Sequence, residues 1–253
     1  MTMTEDLLAQ VAANAAQARL VDVCLGAFWT AVTVELDGQV RTGISSTLHG
    51  GADHHHGGGP PVRAAGRLHA QRVTALTELA RSGSILEASV GVAAINALLD
   101  VDVDACVNVN AADVIAARGA DKNVAIVGHF PFLARIRQVA RMTWVLELDP
   151  RQGDLPAHQA PDLLPQADVV ALTGTSLLNH TFDELIALCR PETYVIVLGG
   201  TTPLSARFFA TGVDAVAGTR IVDSTAALAT ISQGATFKQI QGKQLLTLFK
   251  EPL

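Results

Sequence analysis

The chain has 253 residues, of which 49% are hydrophobic and 17% charged, so it holds enough apolar material for one large domain or two smaller ones. The formal net charge is −6 and no basic cluster occurs, which argues against a nucleic-acid partner. Apolar runs are too short to span a bilayer, and MTMTEDLLAQ at the N-terminus is acidic where a signal peptide is basic and then apolar. We therefore expect a cytoplasmic protein with no membrane partner, in which Cys24, Cys106 and Cys189 are reduced packing thiols.

The N-terminal part begins with a helix and continues with antiparallel strands. Residues 4–18 are rich in alanine and start with acids, which suit a helix N-terminus. The stretch VDVCLGAFWTAVTVELDGQVRTGIS is typical of strands, and its Asp37-Gly38 pair favours a two-residue hairpin turn with positive φ. The pattern predicts a β-hairpin centred on these two residues.

Two helices are predicted next. AAGRLHAQRVTALTELARS is amphipathic, with Leu68, Ala75, Leu76 and Leu79 on one face. ILEASVGVAAINALL is apolar on nearly all sides, which predicts a buried helix whose Asn96 must find a hydrogen-bond partner. Helix, antiparallel strands and helices in this order indicate a small α+β domain over residues 1–105.

Residues 106–253 follow a different pattern. Short, β-branched, apolar stretches alternate with helical ones, which is typical of a parallel sheet in a βαβ arrangement. Asn110 and Asp223 are predicted to cap the helices that follow them. The predicted strands are NVAIVGHF (123–130), TWVLEL (143–148), ADVVALTG (167–174), TYVIVLGG (193–200) and VDAVAGT (213–219).

Ligands of open parallel sheets bind outside the carboxyl ends of the strands, where this chain places small polar turns. Gly128, His129 and Phe130 form the first turn, in which His129 is either a ligand contact or an exposed turn residue. Glu147 ends the second strand 19 residues after Gly128, where a carboxylate could accept hydrogen bonds from a ribose or simply be solvated. The turn has one glycine where the dinucleotide motif G-x-G-x-x-G has three, which weighs against NAD.

Later turns carry uncharged hydrogen-bonding groups. These could contact a polar ligand or, equally well, satisfy the backbone of their own turns. The residues concerned are Thr173, Thr175, Asn179, Thr201 and Thr202.

The loop LHGGADHHHGGGPP contains four histidines among glycines and prolines. In an extended segment His54 and His56 point the same way, and together with His49 they could form a three-nitrogen site for Zn, Ni, Fe or Cu. The alternative is a solvated connector whose histidines bind no physiological metal.

Several stretches resemble a two-domain family known by the description "putative heavy-metal chelation". The resemblance covers roughly residues 5–235 and implies an enolase-N-terminal-like first domain, a Rossmann-like second domain and a ligand site in the cleft between them. It carries no defined reaction. The stretches are EASVGVAAINALL, VGHFPF, LELDPRQGDLP, LPQADVVALTGTSLLNHT, LGGTTPLS and FFATGVDAVAGTRIVD.

Three functions stay open at this stage. The first is an enzyme that uses His129 or Glu147 for proton transfer or positioning, and the second is a binding protein for a metal or a metal complex. The third, a nucleotide- or S-adenosylmethionine-dependent transferase, follows from fold analogy alone. The expected partner is a small molecule or a metal ion, and a homodimer is left open.

Overall fold

The computed structural model describes residues 1–48 and 60–251. The chain divides into two compact units, which are described separately. The first unit contains Met1–Val101, Leu177–Asn179 and Thr219–Gln244, and the second contains Asp102–Ser176, His180–Gly218 and Leu245–Leu253. Among the helices of the described ranges, none is long and apolar enough to cross a membrane.

The α-helices are α1 (Met3–Gln17), α2 (Val73–Glu78), α3 (Ile85–Leu98), α4 (Ala111–Gly119), α5 (Leu133–Val139), α6 (Ala160–Leu163), α7 (Phe182–Ala187) and α8 (Ser224–Ile231). The strands are β1 (Arg19–Leu25), β2 (Trp29–Leu36), β3 (Gln39–Ser46), β4 (Cys106–Val107), β5 (Asn123–Val127), β6 (Met142–Glu147), β7 (Leu155–Pro156), β8 (Val169–Thr173), β9 (Tyr194–Leu198), β10 (Ala215–Ile221) and β11 (Lys243–Phe249). Short 3₁₀ turns occupy Leu68–Ala70, Leu79–Arg81, Ala157–Gln159, Leu164–Gln166, Gly174–Leu177, Ala206–Thr211 and Phe237–Gln239.

The first unit has a three-stranded antiparallel sheet in the order β1-β2-β3. Asp37 and Gly38 have φ of 52° and 72°, so the predicted hairpin with two positive-φ residues is confirmed. Helix α3 is buried on almost every side, also as predicted. Asn96 on this helix donates from Nδ2 to the carbonyl oxygen of Ile44 in β3 at 2.8 Å, which ties the helix to the sheet.

The prediction of one amphipathic helix over AAGRLHAQRVTALTELARS was wrong. The stretch forms a 3₁₀ turn, the six-residue helix α2 and a second 3₁₀ turn, because Arg72 has an extended backbone with ψ of 149°. The break rotates the apolar face: Ala75 is exposed, whereas Val73, Leu76 and Ala80 are buried.

A late segment of the chain completes the core of the first unit. Ala227 and Ile231 of α8 pack with Trp29 and Ile44 of the small sheet, and the Trp29 ring lies 5.1 Å from that of Phe237. Asp223 caps α8 as predicted, because its Oδ1 accepts from the backbone N–H of Ala226 at 3.0 Å. Burial of these apolar groups fixes residues 219–244 to the N-terminal sheet.

Strand order in the second sheet is β4-β11-β10-β9-β8-β5-β6-β7. The parallel pairs are β10-β9, β9-β8, β8-β5, β5-β6 and β6-β7. Strands β4 and β11 pair antiparallel. The protein is therefore a mixed α/β structure with a small antiparallel sheet and a larger, mainly parallel one, as the sequence predicts. Numbered from β5 to β10, the parallel strands lie in the order 3-2-1-4-5-6 of doubly wound sheets.

The second sheet is buried because its strands are apolar on both faces. Val124, Ile126, Val169, Ala171 and Ile196 belong to one core cluster, together with residues of α4 and α5. Asn110 caps α4 by accepting from the N–H of Ala112 at 3.0 Å, which confirms that prediction. The three cysteines are free and half-buried, and burial raises the pKa of each thiol.

In the first unit, Glu87 on α3 holds the chain around Arg63. Its side chain is 2% exposed, and its carboxylate accepts from the Arg63 backbone N–H at 2.8 Å and from Nη2 at 2.7 Å. Ser82 Oγ donates a further hydrogen bond at 2.6 Å. Hydrogen bonding to the Arg63 guanidinium is the largest influence, and with Ser82 it lowers the pKa of Glu87 to about 2 despite burial.

We predict that Glu87→Gln lowers the free energy of unfolding at neutral pH by about 2 kcal/mol, a value reduced for the exposure of Arg63. Because the folded pKa is depressed, this stabilisation is complete above the unfolded pKa of 4.5 and is lost as pH falls toward about 2. Urea unfolding of both proteins at several pH values measures the difference.

Glu78→Gln is the matched control, because Glu78 pairs with Arg81 at an exposed position. This control should cost less than about 1 kcal/mol at every pH. Equal losses for the two variants would contradict a special role for Glu87.

Candidate functional site

Parallel pairing brings the carboxyl ends of four strands to one edge of the second sheet. Val127 at the end of β5 is level with Leu146 in β6 and with Leu172 in β8, and Thr173 is level with Leu198 at the end of β9. The turns after these strands therefore follow one another along that edge. Between β5 and β8 the order of the strands reverses, and such a switch point opens a crevice where ligands bind.

Gly128 lies at the reversal point and depends on the absence of a side chain. Its φ is +110°, and a Cβ there would lie 3.1 Å from Cβ of Thr173 and 3.1 Å from the Phe130 ring. The close approach shows that the ends of β5 and β8 are in contact across the switch point. The rings of Phe130 and Phe132 stack at 5.1 Å, which makes this side of the turn apolar.

His129 is held by a carboxylate that sequence reasoning missed. Nδ1 of the imidazole lies 2.8 Å from Oδ2 of Asp154, whose side chain is 0% exposed, whereas the His129 side chain is 30% exposed. The same Oδ2 accepts from the backbone N–H of Arg151 at 3.2 Å. His129 and Asp154 are 25 residues apart, so no local spacing relates them, although Asp154 falls within LELDPRQGDLP, one of the stretches that carry the family resemblance.

Burial raises the pKa of Asp154, but the hydrogen bonds from His129 and Arg151 and the nearby positive charges outweigh it. The pKa of this carboxyl therefore lies below its ordinary value, and Asp154 is an anion at neutral pH. Oδ1 of Asp154 is buried and has no hydrogen-bond partner among the described residues. The carboxylate thus directs its interactions through Oδ2, toward His129 and the backbone.

Glu147 ends β6 and is half-buried, level with Pro156 of β7. It lies at the same edge as the turn after β5, which is the position that the sequence predicts for it. Its role as a ribose-binding carboxylate stays a prediction.

The threonines at this edge differ in what they can offer a ligand. The hydroxyl groups of Thr173 and Thr175 are 2.9 Å apart and hydrogen-bonded, and both residues are half-buried. Thr201 and Thr202 are each 1% exposed. Oγ1 of Thr202 is buried with no hydrogen-bond partner in the described structure, and a Cβ on Gly174 would lie 2.3 Å from it. Thr202 therefore packs the turns together.

The remaining predicted residues lie elsewhere. Asn179 is half-buried in the short stretch Leu177–Asn179, which is grouped with the first unit. His49, His54 and His56 lie outside the described residues, so the metal site predicted there stays a prediction. The cleft between two domains implied by the resemblance also stays a prediction.

The described residues do not fit a bare metal ion. Within 1–48 and 60–251, no group of three or more His, Cys, Asp or Glu side chains is arranged to hold one. At the switch point His129 offers a single donor atom, Nε2, because Nδ1 contacts Asp154. The chemistry of this edge is that of a polar contact beside an apolar wall.

The fold and this edge define a two-unit α/β protein whose larger sheet is mainly parallel and reverses its strand order between β5 and β8. Two family models match the chain, over residues 8–99 and 110–250, and both carry the description "Putative heavy-metal chelation". The chain belongs to this family.

Similar proteins support the assignment of the fold. A solved structure of a protein from Pyrococcus horikoshii matches with a TM-score of 0.82 and 20% identity, over 97% of this chain and 99% of that one. Another, from Desulfitobacterium hafniense, matches with a TM-score of 0.78 and 20% identity, over 98% and 99%. Both are described as proteins of unknown function.

An uncharacterised protein from Methanocaldococcus jannaschii is 31% identical over 157 residues. The match covers 59% of this chain and spans 61% of the length of that relative.

Proposed function

We propose that the chain binds a small organic molecule, or a metal complex of one, in the crevice at the carboxyl ends of β5 and β8. The observation that carries the proposal is the pair formed by His129 and the buried Asp154 beside the switch point. An exposed turn histidine with no function does not require a buried carboxylate beside it. Burying a carboxylate costs desolvation free energy, which we expect a specific role of the pair to offset. The family description, heavy-metal chelation, is compatible with a ligand that carries a metal.

Gly128 and Phe130 support the same location. The glycine lets the ends of β5 and β8 come into contact without a side chain between them, and the Phe130 ring supplies an apolar surface. Small-molecule sites combine such apolar walls with a few fixed polar groups. In this proposal His129 supplies the polar contact, and the half-buried Glu147 offers a second one.

A nucleotide or S-adenosylmethionine is the second candidate ligand. The strand order 3-2-1-4-5-6 favours it, because dinucleotide-binding sheets have this order and bind at the same reversal. A carboxylate at the end of the second parallel strand, as at Glu147, is where such sheets contact the ribose.

We predict that Gly128→Ala removes the bound ligand, because the new Cβ would crowd Phe130 and Thr173 in the crevice. Untagged protein is purified and heated, and the released compounds are quantified by mass spectrometry. Retention should fall about tenfold or more, the result of losing about 1.4 kcal/mol or more of binding free energy. Thermal shifts with added NAD⁺ and S-adenosylmethionine test the nucleotide candidate on the same variants.

Gly212→Ala controls for backbone strain. Gly212 has φ of +97°, close to the +110° of Gly128, but a Cβ there meets nothing within 4 Å. Equal retention by the two variants would contradict a ligand at the switch point. A lack of any shift with NAD⁺ and S-adenosylmethionine would remove the nucleotide candidate.

Metal binding by the histidine loop is a separate proposal that rests on its sequence. We predict that untagged protein binds zinc or nickel, and that affinity falls below about pH 6 as imidazoles protonate. The combined variant His54→Ala and His56→Ala should lose this binding in calorimetric titration, whereas His129→Ala should keep it. Equal binding by the loop variant and the natural sequence would exclude the loop as the metal site.

A further inference from the structure

His69 and His129 each contact an aspartate, and the two pairs differ in how far the aspartate is exposed to solvent. His69 contacts Asp22 through Nε2 at 2.8 Å, and both side chains are largely solvated, with exposures of 61% and 40%. His129 contacts Asp154 through Nδ1 at the same distance, but the aspartate side chain is fully hidden. The first pair is an ordinary surface contact, whereas the second keeps an anion out of water.

The buried carboxylate determines which ring nitrogen of His129 carries the proton. Ionised Asp154 has no hydrogen to donate, so Nδ1 must be the donor in this 2.8 Å contact. In the neutral imidazole the proton is therefore on Nδ1, and Nε2 carries a free lone pair. Arg151 fixes the carboxylate through its backbone N–H, and Arg137 Nη2 donates to the Gly153 carbonyl oxygen at 3.2 Å, which holds the adjoining turn.

We propose that His129 and Asp154 form a proton-transfer dyad, in which Nε2 of His129 is the base and Asp154 is a positioning residue. The inference rests on the proposed function, since it assigns a chemical role to a residue of that ligand site. It makes the protein an enzyme, or a binder that deprotonates its ligand, and it defines the ligand as one with a weakly acidic O–H or N–H group.

The step is a simple proton transfer. The O–H or N–H bond of the ligand breaks, its electron pair stays on the ligand, and a new N–H bond forms at Nε2. The imidazolium that results lies against the Asp154 carboxylate, which stabilises the added charge. Return of the proton from Nε2 to product or solvent restores the neutral ring, so no oxidant, reductant or co-substrate is needed.

The tautomer of His129 is measurable without any ligand. Nitrogen-15 NMR of ligand-free protein at about pH 8, where an ordinary imidazole is neutral, should show His129 protonated at Nδ1. Asp154→Asn should shift His129 toward the Nε2-protonated form, because its amide NH₂ can donate to Nδ1 where the carboxylate could only accept. Asp22→Asn is the matched control and should leave the His129 signals unchanged.

The reactivity of Nε2 gives a second measurement. Diethyl pyrocarbonate transfers an ethoxycarbonyl group to unprotonated imidazole nitrogen, and peptide mass spectrometry reports the rate at each histidine. His129 should react faster than His69, and Asp154→Asn should slow His129 about tenfold or more, whereas Asp22→Asn should not. Circular dichroism verifies that the variants are folded.

The outcomes separate this inference from the proposed function. An Nε2-protonated His129 in the natural sequence, or equal reaction rates for Asp154→Asn and the natural sequence, overturns the dyad even if Gly128→Ala releases a ligand. An intact Nδ1-protonated, reactive His129 supports the dyad even if the crevice retains no compound on purification.

Discussion

Strand β5 pairs in parallel with β6 on one side and with β8 on the other, and the candidate site depends on this arrangement. After β5 the chain adds β6 and β7 in one direction, and then returns to add β8, β9 and β10 in the other. In sheets with such a reversal, the connections leave the sheet in opposite directions and a crevice opens beyond the carboxyl ends of the two central strands, so we place the candidate site beyond β5 and β8. The geometry follows from hydrogen-bonded pairing, not from any single side chain.

The side chains at the end of β5 determine the chemistry of this edge. Gly128 allows the two strand ends to meet without a side chain between them, and Phe130 and Phe132 stack beside it. The buried carboxylate of Asp154 contacts His129 and also accepts a hydrogen bond from the backbone N–H of Arg151. We propose a small organic ligand because this edge offers an apolar wall and one oriented imidazole, whereas a bare metal ion needs several converging donors.

Much of the fold could be predicted because its signals are local. The Asp37-Gly38 turn, the all-apolar helix α3 and the alternation of apolar strands with helices all came from short-range pattern, and each is present. The helix predicted across residue 72 failed because an amphipathic pattern does not reveal a local break into 3₁₀ turns. The predicted strand ends indicated where His129 and Glu147 lie. The sequence did not indicate Asp154, because Asp154 is 25 residues from His129 and only folding brings the two together. Packing of residues 219–244 with the first unit is likewise a long-range contact that no local pattern encodes.

The most direct test of the central claim is an experimental electron-density map of untagged protein purified with its natural ligand. We expect density for a small molecule beyond the ends of β5 and β8, against Phe130 and within hydrogen-bond distance of Nε2 of His129. Density for a ligand elsewhere, for example in the open pocket of about 540 Å³ lined by Arg63, Arg81 and Glu87 of the first unit, would contradict the account.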